Sequence, residues 1–552
     1  MRTSTTKRGG THYWRRFAAL GLAALLVFSI LNLDGYNPQA QRRRGNQAKE
    51  GRQELKTGKT EPTETRGAPY PAAKPSDRIP NPDPTPMPVP TGRKVGDMRP
   101  TSPASEVKQL TSRDGKVPQP TRKDERAHPT ASAVQPSSPL LSTRNPTEPP
   151  SLLPPPAPLF FKQYRELNNL IPNTSGCCPE ISSSENGQTI MMTANNWMSL
   201  SEDGGATFSN INPTTIFPQD DGGFCCDQVV VYVPRIDMFV WLLQYWSSGG
   251  KNRIRLAAQT TPLVRSSNGT AWTYWDFVSD TFDTGSSLDY NDVSFGESSL
   301  WWTSQNGTGR VVVRIPLSEI AAKSTIHFGY TAGTDALWSH LTQNATNTVY
   351  WAGHVSNSEL RVYSMRDGDG FYSWHSVTVN SWPNGTNSTA CPNDVDWMTF
   401  ESWKHYVFGN AMQRGSVWFS WLAAAGGNFP RPHVQMVRIN PSTWTLQEQV
   451  QIWNPTIAFL DAHLSTNSQG ELGMEIAFGS GGFYPSSAVG VWGDFVVYYP
   501  RLSTRCVQRW GDYNHSRRAA SNGAEWVAAG YTNETNSSGG NIVIPHYIRF
   551  GR

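Results

Sequence analysis

No cysteine occurs before position 177, and only one tryptophan, Trp14, occurs in the first 160 residues. That arm lacks the aromatic and branched apolar residues needed for a packed core. It carries 25 of the 41 prolines, and 25 Lys+Arg against 13 Asp+Glu. Residues 161–552 carry 23 against 31, so the net charge of +4 conceals a basic arm and a mildly acidic domain. The chain has no HExxH, no P-loop and no G-x-S-x-G, which removes the common metalloprotease, nucleotide and α/β-hydrolase signatures. It has no C-x-x-C, so its cysteines do not read as a thiolate metal site. No long amphipathic helical pattern appears, and no nucleic-acid partner is expected.

The N-terminus reads as an address. Lys7, Arg8, Arg15 and Arg16 precede the apolar run Phe17 to Leu33. A basic flank before such a run leaves the N-terminus in the cytoplasm and exports the remainder of the chain, as a signal anchor or a cleaved signal. Residues 1–34 are read as this flank and anchor, the chain's contact with a membrane. Residues 35–160 are read as a disordered, basic, Pro-rich linker. It begins at Arg42-Arg43-Arg44 and includes the polyproline-like run from Asn81 to Pro90. Residues 165–552 are read as the folded domain, either held at the cell surface or secreted.

Export favours disulfides. The pairs Cys177/Cys178 and Cys225/Cys226 are expected to cross-link each other, and Cys391 to bridge Cys506. Nine Asn-x-Ser/Thr sequons, among them Asn387, Asn514 and Asn533, offer glycan acceptors in a eukaryotic host.

From about residue 165 the chain becomes short β-type runs separated by Gly, Asn, Ser and Asp. Seven units repeat every 50–60 residues or so. Each has a polar residue, a strand, a turn and a more hydrophobic strand. Glu180, Asp227, Asp292, His340, Glu401, Asp461 and Asp512 open the seven units. The period predicts an all-β, seven-bladed β-propeller, with six blades or two β-sandwiches as alternatives.

In a propeller, those seven residues line the central channel. Asp227, Asp292, Glu401, Asp461 and Asp512 are the candidate catalytic carboxylates, because glycoside cleavage needs two carboxyl groups of separated acidity. Glu180, His340, His463, Arg509 and Trp510 are the candidate ligand-binding residues. The carboxylate ring also suits a cation such as Ca2+, or a polyol. Asp at a strand start caps loops as well, which is the plainer role. Asp461 and His463, two apart on a strand, are placed to orient one another. Trp241, Trp301, Trp351, Trp418 and Trp526 recur in second strands as packing. Trp197, Trp246, Trp302 and Trp510 lie nearer strand ends, where they could stack on sugar rings.

Ser201-Glu202-Asp203-Gly204-Gly205-Ala206-Thr207-Phe208 matches the Asp-box pattern S-x-D-x-G-x-[TS]-[WF]. Its defined positions are Ser201, Asp203, Gly205, Thr207 and Phe208, and it resembles the hairpin turn of sialidase-like propellers. The tail Arg509-Trp510-Gly511-Asp512-Tyr513 resembles the closing blade of secreted bacterial members of unassigned function. That resemblance implies a propeller that binds glycan or a surface protein, or a glycan-active hydrolase or lyase. The chain departs from the sialidase pattern, because within residues 165–552 Arg-Ile-Pro occurs only as Arg314-Ile315-Pro316, in mid-chain.

Overall fold

A computed structural model describes residues 49–65, 160–167 and 179–552, apart from 283–286, 307–308, 332, 428 and 495–496. The apolar run Phe17–Leu33 and the pair Cys177/Cys178 lie outside the described residues. Among the described residues no helix is long and apolar enough to cross a membrane.

The described chain is nearly all strand, in antiparallel sheets that follow one another along the sequence. Hydrogen bonding gives six sheets, one of them eight-stranded. Its halves, Ala458–Val491 and the C-terminal strands, meet through a single pair, Ser486 and Thr532. Innermost segments follow one another around a circuit: Ser182–Glu185, Phe224–Val233, Asp289–Phe295, residues 339–343, Val407–Gln413, Ala458–Thr466 and His515–Arg518.

Each member packs on the next. The Val230 N–H donates to Ser182 Oγ at 3.1 Å, and Ser294 Oγ donates to the Thr342 carbonyl at 2.7 Å. Gln343 and Ala411 form a parallel bridge, and Ser420 Oγ donates to the Ala462 carbonyl at 2.8 Å. The Ser516 N–H donates to His463 Nδ1 at 3.2 Å. A parallel bridge between Ile181 and Asn514 closes the circle. The fold is a β-propeller.

Between the sheets lie the tryptophans expected there. Trp241, Trp301, Trp351, Trp418 and Trp526 are all buried. Truncating a buried aromatic of this size to alanine costs about 3–5 kcal/mol. The turn Ser201–Phe208 joins Trp197–Ser201 to Ser209–Ile211. Gly204 and Gly205 take φ of 70° and 85°, a region that favours glycine. Asp203 accepts from the Thr207 N–H at 2.8 Å and from Thr207 Oγ1 at 2.7 Å. Ser201 Oγ accepts the Gly205 N–H at 2.8 Å, and Phe208 is buried against Tyr547.

Three expectations need correction. First, the linker reading over 35–160 fails for residues 49–65. Glu50–Glu54 pairs with Phe371–Thr378, Lys56–Thr60 with Ile326–Tyr330, and Thr63–Glu64 with Thr273–Val278. This strap adds an outer edge to three successive blades. Its residues are polar because one face meets solvent. Gly51 and Gly58 let it press on the rings of Trp374 and Phe328. Phe160–Glu166 likewise forms the outer edge of the last blade against Asn541–Gly551, so the domain starts before residue 165.

Second, Cys225 bonds to its neighbour Cys226 rather than to the other vicinal pair. Cys391–Cys506 is bridged as expected. Third, the sequon residues Asn387, Asn514 and Asn533 are buried, so the folded chain presents no acceptor there.

Candidate functional site at the channel mouth

The channel brings the predicted carboxylates together in two layers, from inner strands and from the turns that precede them. The outer layer centres on Asp512. Its carboxylate accepts from Arg509 Nη2 at 2.8 Å and from Lys404 Nζ. Lys404 Nζ also lies 3.0 Å from Glu401 Oε2. The Asp512 N–H donates to Glu180 Oε1 at 3.2 Å, and Arg509 stands 4.0 Å from that oxygen. Asp227 has Glu180, Asp289 and Asp512 as charged neighbours, and Asp461 has Glu401, Lys404 and Asp512. Five candidate carboxylates therefore share two cations.

Their acidities are split. Burial pushes Glu180 up to about 7, with Asp512 adding to the rise. Burial also lifts Glu401 to about 7, against the pull of Lys404. Asp227 and Asp461 are raised well above the usual range, by burial first. Burial acts on Asp512 in the same direction, but Arg509 and Lys404 together hold it well below that range. The layer opens to solvent at Arg509 and Asp512, whose side chains are 32% and 19% exposed.

The inner layer holds Asp292, His340, His463 and His515, all buried. Two strand irregularities shape the channel. The register slips between Asp289 and Asp292, where Tyr290 takes φ 57°, and between Leu460 and His463, where Asp461 takes φ 55°. Such bulges re-aim the side chains beyond them. The slip also undoes the expected Asp461–His463 pair. His463 Nδ1 accepts from Ser516, and both Asp461 carboxylate oxygens have no hydrogen-bond partner. The inner donor set is nitrogen-rich, which does not fit Ca2+, a cation that takes six to eight oxygens.

Other placements differ from the sequence reading. Glu401 lies in the 3-10 turn Thr399–Glu401, and its blade begins only at Val407. The sequence repeat starts too early there because Thr399–Trp403 mimics a strand. Trp510 is buried and stacks on Tyr531 at 4.1 Å, so it packs rather than meeting a ligand. Trp197 and Trp302 are buried as well, whereas Trp246 is 52% exposed. Arg314 hydrogen-bonds the Arg366 and Asp369 carbonyls, not a channel ligand. Sequence reasoning misses Lys404, because a lone lysine in a polar loop gives no periodic signal.

No family model and no curated protein matches the chain. Among solved structures, a GH93 α-L-arabinofuranosidase of Fusarium graminearum in complex with arabinobiose is 12% identical. It covers 71% of this chain and 98% of its own, at a TM-score of 0.35. AofleA from Arthrobotrys oligospora is 10% identical over 62% of this chain and 90% of its own, at 0.32. A protein of unknown function from Dyadobacter fermentans is 8% identical over 70% and 98%, at 0.34. Likeness at this level assigns this chain neither an activity nor a site.

Proposed function

We propose that the chain is an exported, surface-held or secreted seven-bladed propeller that binds a glycan at the mouth formed by Glu180, Asp227, Glu401, Lys404, Arg509 and Asp512. The Ser201–Phe208 turn supports placing it with sialidase-like propellers. The observation that carries the binding reading is the convergence of carboxylates and two cations at one opening. Sugar hydroxyls donate to the former and accept from the latter. The test is a glycan array with the full-length chain. Binding that disappears in Arg509→Ala and Asp512→Asn supports the reading. Unchanged binding in both removes it.

A second reading, glycoside hydrolysis, is favoured by the split acidity at Lys404. Glu401, raised to about 7, has the character of a proton donor, and Asp512, held ionised, that of its partner. A hydrolysis screen decides between the two. Turnover that is lost in Glu401→Gln, while array binding persists, makes the protein an enzyme. Absence of turnover on every glycan that binds leaves binding as the function.

A further inference from the structure

The inner channel layer contains more unpaired buried polar atoms than a packed core tolerates. Asp292 Oδ2 accepts the Leu341 N–H at 2.8 Å, which fixes the carboxylate. Its Oδ1 has no hydrogen-bond partner and lies 3.4 Å from His515 Nε2. His515 Nδ1 lies 3.2 Å from the Ile181 carbonyl. A carbonyl only accepts, so the His515 proton sits on Nδ1, and Nε2 turns a lone pair toward the carboxylate. Neither ring nitrogen of His340 has a partner, and that ring lies parallel to His515 at 5.9 Å. One donor atom from each of Asp292, His340, His463 and His515 falls within 4.8 Å of all the others.

We infer that Asp292 Oδ1, His515 Nε2 and a ring nitrogen of His340 form a site for one divalent transition metal ion, such as Zn2+, inside the channel. Zn–N bonds of about 2.0–2.1 Å in a tetrahedron put neighbouring ligand atoms roughly 3.4 Å apart. Asp292 and His515 already stand at that spacing. The Ile181 carbonyl supplies the hydrogen bond that a metal-bound imidazole normally makes through its other nitrogen. His463 plays a different part. Its Nδ1 accepts the Ser516 N–H, so its proton is on Nε2, a donor suited to a metal-bound water or hydroxide rather than a ligand. Buried Arg310 and Arg517 flank the group and oppose a cation electrostatically. Directional imidazole bonds therefore hold the ion, which selects a transition metal over Ca2+ or Mg2+. The ligands come from three different blades, so the ion acts as a cross-channel staple and is not reached by substrate.

The experiment loads the purified full-length chain with Zn2+ or Co2+, dialyses it and counts the metal by mass spectrometry. The expected result is one equivalent per chain, falling at least tenfold in His515→Ala and His340→Ala, with His463→Gln and Glu401→Gln retaining it. Far-UV circular dichroism establishes that the variants fold. X-ray absorption of the wild-type Co2+ form keeps the test decisive if they do not, and imidazole scattering is expected there. Three results each overturn the site: no metal on the wild-type chain, full retention in folded His515→Ala and His340→Ala, or a cobalt shell without imidazole.

Discussion

The Arg509 guanidinium donates to the Asp512 carboxylate at 2.8 Å, and Lys404 binds the same carboxylate from the other side. Removing either cation leaves a carboxylate underpaired in a poorly solvated site. Lys404 is the more buried, so Lys404→Met is expected to cost about 3–5 kcal/mol in denaturant unfolding. Arg509, a third exposed, loses less to Ala, about 0.5–1 kcal/mol. Adding Asp512→Asn to Lys404→Met should restore part of the loss, and strict additivity would show that the two do not interact.

The raised acidities give a pH signature. Glu180 and Glu401 titrate near 7 in the fold against 4.5 in an open chain, so the folded state holds protons that the unfolded state has released. Their contribution therefore falls as pH rises from about 4.5 to 7, by on the order of 1–3 kcal/mol per group. Asp512 runs oppositely: its stabilisation is present above about pH 4 and is lost in acid. Buried histidines lowered to about 3, His354 and His433 among them, also favour the fold as pH rises. The readout is therefore the difference between wild type and Glu401→Gln. The variant should gain stability relative to wild type across pH 4.5–7, and a constant difference would remove the assignment.

Blade-to-blade contact is tightest at Gly409, where an added Cβ would lie 1.8 Å from the Ala462 carbonyl oxygen. Backbone cannot yield as a side-chain tip does. Gly409→Ala is expected to destabilise by more than about 2 kcal/mol, whereas Gly415→Asn, a left-handed position with open space, should be near neutral. Equal melting temperatures for the two variants would refute the contact.

The strap is testable through hydrogen exchange. A side chain at Gly51 or Gly58 would collide with the Trp374 or Phe328 ring. The double variant Gly51→Val/Gly58→Val is expected to release it. Amides of residues 326–330 and 371–378 that pair with it should then exchange at least tenfold faster, while those of 458–466 stay protected. Unchanged protection at both edges would mean that the strap is not held there.

Cys391–Cys506 closes a 115-residue separation. On loop entropy alone, its loss costs about 4–5 kcal/mol. Cys391→Ser/Cys506→Ser should melt well below wild type, and non-reduced peptide mapping should recover Cys225 and Cys226 on one linked peptide. A cross-link from Cys225 to Cys177 or Cys178 would contradict the pairing.

The ring was legible because its determinants are local and periodic. Polar openers such as Asp227 and Asp512, each leading into strands that carry Trp241 or Trp526, repeat at one spacing. Convergence of the carboxylates came with that spacing. The rest depended on non-periodic facts. Bulges at Tyr290 and Asp461 break the alternation that the Asp461–His463 reading relied on. Lys404 lies in a loop between repeats. Glu50–Glu64 has no apolar alternation, because its partners supply the apolar face.

Anchoring at both Glu64 and Phe160 changes what the proline-rich stretch can do. The described residues on either side of 66–159 both pair into propeller blades, so the length of that stretch does not lengthen any connection between the domain and what precedes residue 49.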